Sequence, residues 1–240
     1  MYNKHGYYGL MERYQVERAI KMARILNIIG VIIAIAIFFS GEFEKYVTGA
    51  ALIAPFIFML IFRSYKGAIS SDFSTDPYPT MIWGILAILI SMFMRYVLDL
   101  NTLVYSGVWL PSIIIGVLFC LPKLIPGKGY KFRDRADHSE KIIMILLALS
   151  YGLVSTFTMN QVYDASVPRT YHVKVLDKIS RSGRKTLPSC HLMVSPWSSR
   201  ITNEEVEVGW KLYKNVKVND EVNIYLLEGY LGIPWFVVQK

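Results

Sequence analysis

The sequence predicts a membrane α-helical bundle of five transmembrane helices, followed by a small all-β C-terminal domain, an OB-like or SH3-like barrel. Three observations carry this. Hydrophobic residues make up 53% of the 240-residue chain and charged residues only 18%, against about 25% charged in an ordinary soluble domain. Five long apolar stretches fall in the first two thirds of the chain. After Met159 the composition changes to short alternating segments separated by Gly, Asn, Asp and Ser. A mean hydropathy of +0.35 is unlike that of a disordered chain or a coiled coil, and two cysteines do not make a disulfide scaffold.

The apolar stretches cover residues 23–39, 47–62, 81–98, 102–121 and 142–159. A bilayer core about 30 Å thick takes roughly 20 apolar helical residues to cross. Backbone groups in lipid must satisfy one another, which favours helices, and the alternation of a membrane β-barrel is absent from these stretches. The first stretch follows basic residues, as a signal peptide would. Its apolar run is too long for an h-region, and Ser40-Gly41-Glu42-Phe43-Glu44 offers no small-x-small cleavage site, so an uncleaved helix is expected. Only Asp99-Leu100-Asn101 separates the third and fourth stretches. One helix over 81–121 would be about 60 Å long, so a tight hairpin is expected. Helix two carries a face of small residues, Gly49, Ala50 and Ala54, suited to close helix packing.

Lys and Arg near helix ends set orientation. Thirteen lie on one side: Lys4, Arg13, Arg18, Lys21, Arg24, Arg63, Lys66, Lys123, Lys128, Lys131, Arg133, Arg135 and Lys141. The opposite side has Lys45 and Arg95. This places the N terminus in the cytoplasm and, with five crossings, the tail outside a bacterial cytoplasmic (inner) membrane. The expected organisation is a cytoplasmic arm over 1–22, a bundle over 23–160 and an extracytoplasmic β domain over 161–240.

In the tail, residues 160–168 read as a linker. Residues 170–176, 187–194, 205–208, 216–218, 222–226 and 233–238 read as strands from their alternation and β-branched content. A domain this small has a marginal core, and Trp197, Trp210 and Trp235 are expected to anchor it. Val218-Asn219-Asp220-Glu221-Val222, followed by Glu228-Gly229-Tyr230-Leu231-Gly232-Ile233-Pro234-Trp235, resembles the ending of uncharacterised bacterial multi-pass inner-membrane proteins. Their tails carry a Gly-Asp turn and a Gly-x-Leu-Gly-Ile-Pro-Trp box. Asn219 stands where that family has Gly, a position an αL turn tolerates. The resemblance implies a membrane-anchored β domain and brings no activity.

Arg95 and Asp99 lie one helical turn apart near a membrane boundary, where a snorkelling Arg is expected to pair with the acid. A contact with substrate or partner is the sharper reading of an ionisable residue there. The tip Arg181-Ser182-Gly183-Arg184-Lys185 gives Arg181, Arg184 and Lys185 as possible contacts to an anionic surface. His172, Cys190 and His191 are the only metal-like set in the tail. Neighbours on a strand face opposite ways and zinc spacing is lacking, so no metal and no other cofactor is expected. Ser195, Ser198, Ser199, His191 and Asp177 lack a nucleophile-elbow context, and no phosphate-binding loop or dinucleotide fingerprint occurs. The expected role is therefore non-enzymatic: membrane lipids as surroundings, an envelope protein as partner and no nucleic acid. Lipid or small-solute handling by the bundle is the alternative.

Overall fold

The computed structural model describes residues 10–65, 68–69, 79–97, 101–102, 106–124, 138–181, 189–198 and 203–240. The chain divides into two compact units. The first comprises 1–95 and 109–156, the second 96–108 and 157–240.

The first unit is helical. Helix α1 spans Leu10–Phe38, α2 Glu44–Ser64, α3 Ile82–Met92, α4 Trp109–Leu124 and α5 His138–Val162, whose last turn belongs to the second unit. Among the described residues, three helical stretches are long and apolar enough to cross a membrane: Tyr14–Phe39, Gly41–Ser64 and Lys141–Val162. Ile82–Val97 and Ser106–Pro122 are shorter apolar helices. Helix α1 starts well before the expected residue 23 and takes in much of the arm read as cytoplasmic, with Ala19 and Ala23 buried. Helix α3 ends in a π-helical turn, Phe93–Val97. Helix α4 begins later than expected, with Pro111 in its first turn, where a missing N–H donor costs nothing. The third and fourth helices are therefore not joined by a bare three-residue turn.

Two glycine crossings organise this unit. Helices α1 and α3 meet at Gly30 and Gly84. A Cβ on Gly84 would stand 2.8 Å from the Leu26 carbonyl oxygen and 2.9 Å from Asn27 Cα. Asn27 completes the contact. Its Nδ2 donates to the Thr80 carbonyl at 2.9 Å, and its Oδ1 accepts from the Gly84 N–H at 2.8 Å, supplying an acceptor to the first turn of α3. Helices α4 and α5 meet at Gly116 and Gly152, where a Gly116 Cβ would stand 2.7 Å from the Ala148 carbonyl oxygen. Ser112 Oγ donates to Thr156 Oγ1 at 3.0 Å beside it. Small residues let backbones approach where hydrophobic driving force is weak. Glycines on α1, α3, α4 and α5 do so, and on helix two Ala51 and Ala54 are buried. Outward from these contacts, Ile25, Ile28, Ile32, Ile35 and Phe38 of α1 are all exposed, a continuous apolar surface suited to lipid.

The second unit is an antiparallel sheet. Strand β1 is Asn101–Thr102, β2 Arg169–Arg181, β3 Ser189–Val194, β4 Glu204–Glu207, β5 Glu221–Leu227 and β6 Trp235–Gln239. The order is β1-β6-β5-β2-β3-β4. Strand β2 serves both halves. Arg169 to Lys174 pair with β5, and from Val175 onward the strand pairs with β3, with a bulge between Val175 and Asp177. Its core holds Val173, Val175, Cys190, Leu192, Val206, Val222 and Ile224, with Tyr171, Trp197 and Phe236 packed ring to ring at 5.1–5.5 Å.

Four expectations are corrected here. The sheet is open: β4 and β1 are its outer strands, four and two residues long, and among the described residues no ladder joins them, so the OB-like or SH3-like barrel is not formed. The closest substitute is Asn101 Nδ2, which donates to the Glu207 carbonyl at 3.0 Å. Residues 216–218 are not a strand. They follow a short helix, α6 (Trp210–Asn215), and enter a turn with Asn219 at φ +75°. Trp197 and Trp235 are core residues, but Trp210 is 57% exposed. Residues 160–168 are more than a linker: Asn160 to Val162 finish α5, and Asn160, Asp164 and Ser166 hold the chain's last loop. The second unit also includes residues 96–108, whose strand β1 pairs with β6.

Candidate functional site

Arg95 lies in the π-helical turn that ends α3. From Nη1 it donates to the carbonyl oxygens of Ile37 and Phe38 at 2.6 and 2.9 Å. From Nε and Nη2 it donates to Glu44 Oε1 at 3.3 and 2.8 Å. Ile37 and Phe38 end α1, so their carbonyls have no intrahelical donor. Glu44 begins α2, where an acid suits the positive end of the helix. One guanidinium thus ties together the end of α1, the start of α2 and the end of α3. The sequence foresees the residue but not these partners, which lie more than fifty positions away. Asp99, the expected partner, lies outside the described residues.

The tip of the β2–β3 hairpin is described only at its root. Arg181 Nη2 donates to Glu205 Oε2 at 2.8 Å. Arg184 and Lys185 lie outside the described residues. Cys190 is buried in the sheet core, while His191 turns the other way, with Nδ1 3.4 Å from Glu205 Oε1. No group of three His, Cys, Asp or Glu side chains among the described residues is placed to hold a metal ion. Ser195 Oγ accepts from the Lys174 N–H at 3.1 Å, and the Asp177 carboxylate accepts from the Lys178 N–H at 2.7 Å. Both serve the backbone of β2.

The Gly-x-Leu-Gly-Ile-Pro-Trp box closes onto the end of α5. Asn160 Nδ2 donates to the Ile233 carbonyl at 2.8 Å, its Oδ1 accepts from the Leu231 N–H at 3.0 Å, and its backbone carbonyl accepts from the Tyr230 N–H at 3.0 Å. Asp164 Oδ2 accepts from the Gly229 N–H at 3.0 Å and from Trp235 Nε1 at 2.8 Å, while Oδ1 accepts from the Ser166 N–H at 2.8 Å. Burial alone would raise the Asp164 carboxyl. The bonds from Ser166, Trp235 and Gly229 outweigh it and hold the group below the usual carboxylate range. Gly229 has φ +78° and its Cα faces the Asn160 amide, so no side chain fits there. This makes the box a latch within the unit.

An exposed cluster of aromatic rings and lysines lies on α6. The Trp210 and Tyr213 rings stack, 12° from parallel, with centroids 6.1 Å apart. Lys214 Nζ stands 4.8 Å from the Trp210 ring centre and Lys178 Nζ 4.4 Å from that of Tyr213. Lys178 also donates to the Val216 carbonyl at 2.6 Å, which joins β2 to the end of α6. Leu212 and Tyr213 rest partly on the sheet core, whereas Trp210, Lys211 and Lys214 are exposed. Beside the helix, Lys240 Nζ donates to Asp220 Oδ2 at 2.6 Å, which with the Lys217 N–H bond lowers that carboxyl. The sequence carries a signal for this cluster: Trp210, Tyr213 and Lys214 are spaced i, i+3 and i+4. Reading Trp210 as a core anchor hides it. Comparison with protein-family models, curated proteins and solved structures finds no match for the chain.

Proposed function

We propose that this chain is a five-crossing bacterial inner-membrane protein whose sheet unit lies outside the membrane and makes a non-catalytic contact there. The observation that carries this reading is Trp210, a large ring 57% exposed and stacked on Tyr213 among lysines. A ring stacked on a second ring and flanked by lysines suits a contact surface. The charge asymmetry of the loops supports the orientation. Arg95 bears on the alternative, lipid or solute handling by the bundle. Its fork is turned onto Ile37, Phe38 and Glu44, which favours packing of helices over capture of a ligand.

The test is photo-crosslinking in living cells. Gly209 is exposed and a side chain there meets open space, so a photo-reactive residue at 209 leaves Trp210 intact. Val167, 85% exposed in the same unit, provides the comparison. A defined adduct from 209 and none from 167 is expected. Equal or absent labelling at the two positions contradicts the contact.

A further inference from the structure

Resting on the reading of the sheet unit as a contact module, we propose that the α6 face docks on anionic phospholipid headgroups. The cations of the cluster are all lysines. Lys211, Lys214 and Lys217 fall within residues 208–219, which hold no Asp or Glu, and Lys178 reaches the same face over Tyr213. Of the acids next to it, Asp220 is paired with Lys240, and the charges of Asp177 and Glu207 stand against four lysines, Lys178, Lys211, Lys214 and Lys217. The net character of the face is positive.

Lysine rather than arginine decides the class of partner. Protein interfaces are enriched in Arg and depleted of Lys, because the ammonium is strongly hydrated and forms no planar fork. At a headgroup layer the same features are suitable: the charge stays in water among phosphates while the stem lies along apolar surface. Trp and Tyr are the aromatic residues of that layer, with an apolar body and a polar edge. Val218, 45% exposed beside Lys217, adds apolar surface. A chain bearing three helices of membrane length keeps a bilayer at high effective concentration for any domain attached to it, so a weak face suffices.

The test uses the full chain, with the photo-reactive residue at 209, in nanodiscs of phosphatidylcholine alone or with about 30 mol% phosphatidylglycerol, since one lysine near an anionic surface strengthens association about fivefold. Lipid adducts on the peptide containing 209 are measured by mass spectrometry. The anionic lipid should raise the adduct yield about fivefold or more, and salt at about 0.5 M should reverse the gain by screening. Lys211→Gln with Lys214→Gln should also reverse it, while the thermal unfolding of the protein is unchanged. A yield indifferent to anionic lipid and salt overturns the lipid occupant. If position 209 then labels a protein in cells, the contact module stands with a different partner. If it labels nothing in either setting, both readings fail.

Discussion

Replacing Arg95 by Lys separates a snorkelling charge from a three-helix clamp. A snorkelling side chain needs only a long stem and a positive end, both of which Lys has, so its loss of stability would be close to zero. The clamp needs a fork. Nη1 meets Ile37 and Phe38 while Nε and Nη2 meet Glu44, and a single ammonium does not reproduce both directions. Hydrogen bonds involving a charged group contribute about 1.5–3 kcal/mol each. The Arg95 side chain is 25% exposed, so water recovers part of that on removal. Arg95→Ala should then cost about 3 kcal/mol and Arg95→Lys about 1–2 kcal/mol. Glu44→Gln supplies the second edge of a double-mutant cycle, with an expected coupling to Arg95→Ala of about 1 kcal/mol. Reversible unfolding in mixed micelles measures all of these. If Arg95→Lys stays within about 0.3 kcal/mol of the parent and the coupling vanishes, the clamp is refuted and the exposed-pair value holds.

Other perturbations follow from the same geometry. Gly84→Ala drives a methyl into the backbone of α1 at Leu26 and Asn27, and should cost about 1–3 kcal/mol in the same unfolding assay. Gly229→Ala combines a left-handed φ with a clash at Asn160, and should loosen the latch, seen as faster amide exchange at Leu231 and Trp235. The Asp164 carboxyl is held below its unfolded value, so its stabilisation is complete above about pH 4 and is lost as pH falls through the lowered folded value. Asp164→Asn offers one acceptor oxygen to three donors. It should destabilise the sheet near neutral pH and flatten, without abolishing, the acid limb of a fluorescence-monitored pH titration, because Asp220 is lowered as well.

The strands were legible because alternation marks a half-buried ribbon. Residues 222–226 are the heart of β5, and 187–194 contain β3. The same rule misread 216–218, where Val216 is buried and Val218 exposed for a different reason: the first follows α6 onto the core and the second enters a turn. Asn219 in the left-handed region was foreseen from its tolerance of positive φ. Closure of the sheet was not legible, since it depends on whether β4 and β1 are long enough to pair, and β1 comes from between two apolar helices. The long-range partners were equally out of reach. Nothing local joins Arg95 to Glu44, or Asn160 to Ile233, across 51 and 73 positions. Asn27 near a helix end and Gly84 within an apolar run carry no pattern until the two helices cross. Trp210 was concealed by the sound general expectation that a small domain buries its tryptophans.

The side of the membrane on which the sheet unit lies decides whether its α6 face can serve the contact assigned to it. Alkaline phosphatase and green fluorescent protein fused in turn after Lys240 read that side directly, since the first is active only outside the cytoplasmic membrane and the second fluoresces only if it stays inside. The account predicts an active phosphatase and a dark fluorescent fusion, each at normal abundance. A fluorescent fusion with an inactive phosphatase would contradict five crossings and the placement of the contact surface together.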